Sequence, residues 1–187
     1  KTKGGWWKNG YPEYFAKVLN APNWIGINVA INEEALDLNT CKEVKDFVRE
    51  LNMKEGFHRR SFVAVMPNDL EVRVTATRFL SIVNDELGVI NYEVEVLNAD
   101  AVVKFTPYLD GGITNRDANW EERFWQTLEV NTENDQAFVV SKTLKTEYHV
   151  GTYMQSQISL DDEKLQVEGE VEKTEDQVSI SYAVKVN

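Results

Sequence analysis

The amino-acid sequence predicts an all-β fold, an antiparallel β-sandwich with few short helices. Three observations carry that expectation. Apolar residues alternate with polar or small ones in short stretches along the 187 residues: Ile27, Val29 and Ile31, then Val72, Val74 and Ala76, then Ile90, Tyr92, Val94 and Val96. Turn-forming clusters such as Pro67-Asn68-Asp69, Asp161-Asp162 and Thr174-Glu175-Asp176 separate the stretches. Many strands at short spacing favour antiparallel layers over a parallel α/β sheet, and no fixed-period repeat suggests a solenoid or propeller.

The elements follow in order. Gly4-Gly5 and Asn9-Gly10 interrupt the first stretch, and Pro12 to Leu19 suits a short helix with proline near its start. The aromatics around it, from Trp6 and Trp7 to Tyr14 and Phe15, suit a satellite core because each ring hides a large area. After Asn20-Ala21-Pro22 a strand runs through Ile27, Val29 and Ile31, and Leu36-Asp37-Leu38 continues it beyond an acidic turn. Glu43 to Leu51 is ambiguous: Val44, Phe47, Val48 and Leu51 fall at helical spacing, i, i+3, i+4 and i+7.

Phe57 to Met66 and Glu71 to Ser81 read as two strands of a hairpin turned by Pro67-Asn68-Asp69. Pairing Val65 with Val72 would set Val63 opposite Val74 and make one apolar face. Further on, Val102 to Leu109 is a mostly apolar run with Pro107 near its end, where a lost N–H is tolerable. A polar loop from Asp110 to Asn119 leads to Trp120-Glu121-Glu122-Arg123-Phe124-Trp125. Strand-like runs then cover Ala137 to Ser141, Thr146 to Ile158, Lys164 to Val171 and Val178 to Val186.

Composition excludes several classes. A net charge of −11 argues against nucleic acid and anionic membrane surfaces, whose phosphates attract Lys and Arg. No apolar run is long enough to span a bilayer, and Lys1 opens no secretory segment. Cys41 is the only cysteine, so no intramolecular disulfide forms, which fits a reducing compartment. The two histidines, His58 and His149, lie in strand-like runs far apart; with one cysteine they make a poor zinc set and offer no base for a serine nucleophile. No EF-hand spacing and no glycine-rich nucleotide signature occurs. Arg59-Arg60 suits a solvated strand face better than a phosphate contact.

The wording of several stretches is more specific than their alternation. Leu51-Asn52-Met53-Lys54-Glu55-Gly56 followed by Arg78-Phe79-Leu80-Ser81, the Pro22-Asn23-Trp24-Ile25-Gly26 lead-in and Leu36-Asp37-Leu38 resemble the N-terminal domain of glycoside hydrolase family 65, the maltose, kojibiose and trehalose phosphorylases. Thr106 to Asp117 with Phe124-Trp125 resembles that family's Leu-Asp-Gly, Asn-x-Asp and Phe-Trp segment. The resemblance runs from about Tyr11 to Tyr153 and more weakly to the end. It implies a galactose-mutarotase-like β-supersandwich, and it implies a strand for Glu43 to Met53, with Phe47 and Leu51 on one face and Val48 on the other.

The resemblance also implies a function. The parent would be an inverting phosphorylase, or related hydrolase, of an α-linked glucose disaccharide, with inorganic phosphate as co-substrate and no cofactor. Its general acid would be a glutamate of a helical (α/α)6 barrel following the sandwich. Nothing in residues 1–187 reads as that barrel, so the chain is expected to be one sandwich domain trimmed at both ends, with no catalytic residue of its own. Its partners would be the parent's barrel, a second copy in a homodimer and the disaccharide, in the cytoplasm, with no nucleic acid and no membrane. The alternative is a stand-alone carbohydrate-binding module.

Sugar rings offer apolar C–H faces and many hydroxyls, so a sugar site combines Trp or Tyr with Asp, Asn or Arg. Trp6-Trp7-Lys8-Asn9 has that mix, and so does the segment holding Asn115, Asp117, Trp120 and Trp125. These four residues are the candidates for carbohydrate binding or for facing the barrel, with at least one of the two indoles partly exposed. Gly111-Gly112 is expected to give the loop conformations closed to other residues.

Overall fold

Where the sequence alternates, the computed structural model is extended. It describes residues 7–8, 11–12, 18–115, 123–133 and 136–186, and among these there is no helix. The expected helix at Pro12 to Leu19 lies mostly outside them. The strands in chain order are β1 (Trp7–Lys8), β2 (Tyr11–Pro12), β3 (Asn23–Ile31), β4 (Glu34–Ala35), β5 (Glu43–Asn52), β6 (Phe57–Val65), β7 (Glu71–Leu80) and β8 (Gly88–Val96). They continue with β9 (Ala101–Asp110), β10 (Trp125–Glu133), β11 (Gln136–Thr143), β12 (His149–Gln155), β13 (Ile158–Leu160), β14 (Glu163–Leu165), β15 (Glu170–Lys173) and β16 (Gln177–Val186).

All pairings are antiparallel. β5 to β8 form a four-stranded meander, β10 to β12 a three-stranded one, and a five-stranded sheet runs in the order β15-β16-β9-β3-β4. Two short pairs, β1-β2 and β13-β14, complete the set. Two-residue turns join β3 to β4 and β13 to β14. Asn32 and Glu33 in one, Asp161 and Asp162 in the other, all have positive φ, the backbone that matches the right-handed twist of a tight hairpin.

Two apolar cores lie on the five-stranded sheet. Val29, Ile31, Ala101 and Val103 meet Phe62, Ala64, Val72 and Val74 of the four-stranded sheet. Leu109, Val178, Ile180 and Tyr182 meet Ala137 and Val139 of the three-stranded sheet. Ala101, Val103 and Leu109 are all odd positions of one strand, so a single face of β9 serves both cores in turn.

The β6–β7 hairpin corrects the expected register by one residue. Ala64 pairs with Val72 and Phe62 with Val74, while Val65 faces Glu71 and Val63 faces Arg73. A one-residue slip moves a strand's whole side-chain set to the other face. The loop sets this register: Met66 N donates to Leu70 O and Asp69 N to Met66 O, with Asp69 at positive φ. Met66 thereby joins Phe62 and Ala64 in the core, and Val63 and Val65 turn outward.

β5 is a strand despite its helical spacing. A bulge between Lys45 and Val48, with Asp46 at φ 51°, changes the parity of the strand. Val44 pairs with Ala64 on the inward face, and Phe47 also turns inward to stack on Phe62, ring centroids 6.0 Å apart. Leu51 opposite His58 shares that face; Val48 opposite Ser61 does not. The i, i+3 interval between Val44 and Phe47 is thus the mark of one extra strand residue.

Two substitutions test this packing. Phe62→Ala should cost about 3–5 kcal/mol in urea unfolding, from lost burial and the cavity left behind. Asp46→Val should cost about 1–2 kcal/mol because a β-branched residue resists positive φ, whereas Asp46→Gly should match or exceed the unaltered chain.

Candidate functional site

The two ends of the Asp110 to Trp125 segment lie side by side, Thr114 bridging Arg123 antiparallel. Asp117 and Trp120 lie outside the described residues, as do the side chains at Trp6 to Asn9. Asn115 and Trp125 are described, and both are buried, with 6% and 7% of their surface exposed. They converge on Asn20. The Asn115 Oδ1 accepts from Asn20 N at 3.1 Å, its Nδ2 donates to Val18 O at 2.8 Å, and the Trp125 Nε1 donates to Asn20 O at 2.7 Å. Asparagine suits this place because it is donor and acceptor at once. The pair therefore clamps the chain entering β3, and Trp125 offers no open sugar platform.

Gly111 is needed for space, not for an unusual φ: among the described glycines only Gly56 has positive φ. A Cβ at Gly111 would meet Ser141 Oγ at 2.7 Å, Thr127 Oγ1 at 2.8 Å and Val139 Cγ1 at 3.0 Å. This corrects the expectation from Gly111-Gly112. The backbone approaches β10 and β11 so closely that a side chain cannot fit.

Asp176 ties the same region together, although the sequence marked it only as part of a turn. Its Oδ1 accepts from Thr127 Oγ1 at 2.6 Å, its Oδ2 from Arg123 at 2.8 Å, and its carbonyl accepts Gly111 N at 2.8 Å. The Thr127 hydroxyl, opposed by partial burial and helped by Arg123, holds the carboxyl below the ordinary aspartate range. A carboxylate so held is a structural anion and a poor proton donor. Turn residues with long-range partners carry no periodic signal, which is why alternation missed it.

The other end of the four-stranded sheet is different in kind. The β5–β6 and β7–β8 turns emerge there together, carrying Leu51, Met53, Leu80, Ile82 and Val83, which are 69%, 87%, 68%, 97% and 88% exposed. The second turn is ordered by its own bonds: Ser81 Oγ accepts from Asn84 N at 2.9 Å, and Ser81 N donates to Leu87 O at 2.9 Å. Ile82 and Val83 are therefore held outward. Among the described residues no group of three or more His, Cys, Asp or Glu could hold a metal ion, and no helix is long and apolar enough to cross a membrane.

Asp176→Ala should lower stability near neutral pH by about 1–2 kcal/mol, the range for hydrogen bonds to a charged group discounted for partial exposure. A depressed folded pKa stabilises above the unfolded value of about 3.9 and ceases to do so as pH falls through the folded value. Unfolding curves of the two chains should therefore differ at pH 7 and converge in the acid limb below pH 4.

Over 148 residues the chain is 45% identical to the maltose phosphorylase of Bacillus subtilis (strain 168), covering 79% of this chain and 19% of that protein. It is 30% identical over 99 residues to the kojibiose phosphorylase of Thermoanaerobacter brockii, covering 53% of this chain and 13% of that one. The α,α-trehalose phosphorylase of the same organism is 25% identical over 153 residues, 74% of this chain and 20% of that protein. The chain thus spans no more than a fifth of the length of these relatives. The sandwich architecture, these likenesses and a match of residues 1–187 to the family model described as the N-terminal domain of glycosyl hydrolase family 65 together show that the chain belongs to that family.

Proposed function

We propose that the chain is the N-terminal β-sandwich of an inverting disaccharide phosphorylase or related glycosyl hydrolase acting on α-glucosides, and that it supports the catalytic part without performing chemistry. The observation that carries this reading is the apolar end of the four-stranded sheet. Leu51, Met53, Leu80, Ile82 and Val83 are five exposed apolar residues at one end of one sheet, where a freely soluble surface would carry polar residues, and large exposed apolar patches are interaction sites. The stretches whose wording is closest to the family, Leu51 to Gly56 and Arg78 to Ser81, meet at this end. A helical (α/α)6 barrel packed there would cover them.

In this reading the barrel supplies the general acid, inorganic phosphate is the co-substrate, and no metal or organic cofactor is required. Asn115 and Trp125 would brace the segment from within the sandwich, leaving Asp117 and Trp120 as the candidates for the rim of the active site, and a second copy would complete a homodimer. Phosphorolysis consumes inorganic phosphate and retains a sugar phosphate, which places the reaction inside a cell.

A second reading, a carbohydrate-binding module, draws on the three-stranded sheet. Phe138 and Tyr153 are cross-strand partners with rings 5.9 Å apart and 2° from parallel, and Tyr153 is 59% exposed. Gly151 has open space where a side chain would stand, so this face is accessible to a sugar ring.

Two measurements separate the readings. The chain alone should release no glucose 1-phosphate from maltose, kojibiose or trehalose with phosphate, and the whole parent carrying Ile82→Asp and Val83→Asp should lose about tenfold or more of its turnover. Release by the chain alone, or full turnover by the variant parent, would overturn the first reading. Saturable glycan binding that Tyr153→Ala abolishes would establish the second.

A further inference from the structure

Between the apolar end and the first core, the inward face of the four-stranded sheet turns basic. Two adjacent cross-strand rows do this: Arg49 opposite Arg60 and Ala76, with Tyr92 beyond, and His58 opposite Arg78, with Ile90 beyond. Like charges directly opposite one another are destabilising, and the Arg49–Arg60 pair is such a case, with Arg78 one row further on. The other described arginines except Arg59 find carboxylates: Arg73 with Glu95 and Arg123 with Asp176. Among the described residues, Arg49, Arg60 and Arg78 take part in none of the ion pairs.

The arginines are also held in place. The Arg49 guanidinium lies 5.7 Å from the centre of the Phe47 ring, and that of Arg60 5.6 Å from the centre of Phe62, both rings being part of the stacked pair beneath them. Burial raises the Tyr92 pKa, and the charge of the nearby Arg60 opposes that rise. Across from this wall, β4 covers β3 only at Ala30 and Ile31, so the edge from Ile25 to Asn28 borders an open cleft. Tyr108 lies over Gly26, where a Cβ would meet its ring at 2.1 Å, so glycine is what allows the opposite wall its shape. The cleft encloses about 410 Å³. That volume is within the range of small-molecule sites. Burial and the three neighbouring arginines, Arg78 first, hold the His58 pKa below its ordinary value, as expected of an imidazole facing uncompensated positive charge.

We infer that this cleft binds a small phosphate-bearing anion, either inorganic phosphate or the phosphate monoester of a sugar. Three guanidinium groups from three strands converge on one volume, which suits a dianion with three or more acceptor oxygens better than a single carboxylate. Tyr92, Tyr108 and Asn28 line the remainder and can meet hydroxyls. The inference is independent of the proposed phosphorolysis, because its test needs only this chain and no turnover.

The test is a titration of the chain at low salt with inorganic phosphate and, separately, with glucose 6-phosphate, read from the ring signals of both histidines. His149 stands exposed on β12 of another sheet and is the internal control. The His58 signals should move saturably while those of His149 do not, and the tighter of the two ligands identifies the source of the phosphate. Arg60→Gln and Arg78→Gln should each weaken binding about tenfold. Without phosphate, Arg78→Gln should melt at or above the temperature of the unaltered chain, since it removes one of three guanidinium charges gathered on the same cleft. Still His58 signals in both titrations would overturn the inference. So would affinity unchanged in both variants, or binding of poly-glutamate by a chain that ignores phosphate, which would mark a docking surface for an acidic segment instead.

Discussion

β9 is the strand on which the rest of the structure depends. It pairs with β3 on one side and β16 on the other, so its two hydrogen-bonded edges join segments from opposite halves of the chain. Its inward face feeds two cores in succession, through Ala101 and Val103 and then through Leu109. A strand used in this way has no solvent-facing edge to spare, and its odd positions must all stay apolar or small. The four-stranded and three-stranded sheets are each packed against this one surface, and neither core closes without it.

The distribution of charge follows from that arrangement. On the outward face of the four-stranded sheet, Arg73 meets Glu95 on the neighbouring strand and Lys45 reaches over β6 to Glu71. Such exposed pairs contribute little to stability and keep the face soluble and patch-free. On the inward face, apolar rows fill the core up to Phe47, Phe62, Val74 and Val94, and beyond them the rows change to arginine, histidine and tyrosine. The core ends where β3 and β9 no longer cover the sheet closely. Past that boundary the same alternating positions become a surface with its own chemistry.

The connection between β9 and β10 serves a structural purpose in its described part. Asn115 and Trp125 hold Asn20 by both its backbone groups, while Asp176 gathers Thr127, Arg123 and Gly111. These contacts join stretches roughly fifty to a hundred residues apart, so the N-terminal approach to β3, the start of β10 and the turn before β16 behave as one unit. Buried polar groups that are fully paired define a geometry sharply because any other arrangement leaves a donor or acceptor unmet. The apolar turns at the far end are the opposite case, ordered in backbone and unpartnered in side chain.

Alternation along the chain was enough to determine the class of fold, most strand positions and the hairpin turns, because burial on one face imposes period 2 directly on the residues. The family resemblance was legible too, in short exact wordings at turns and strand ends. Three things were decided only in three dimensions. Register is one: a five-residue loop between Val65 and Glu71 chose which set of valines faces inward, a choice that alternation leaves symmetric. Parity is another: the bulge at Asp46 made a strand imitate a helix over Val44 and Phe47. The last is the fate of single polar residues. Nothing near Asp176 or Arg78 in sequence says that the first is met by a threonine and an arginine some fifty positions away and that the second stands among other cations. Those partners are set by which strands become neighbours, a property of the whole sheet and of no local stretch.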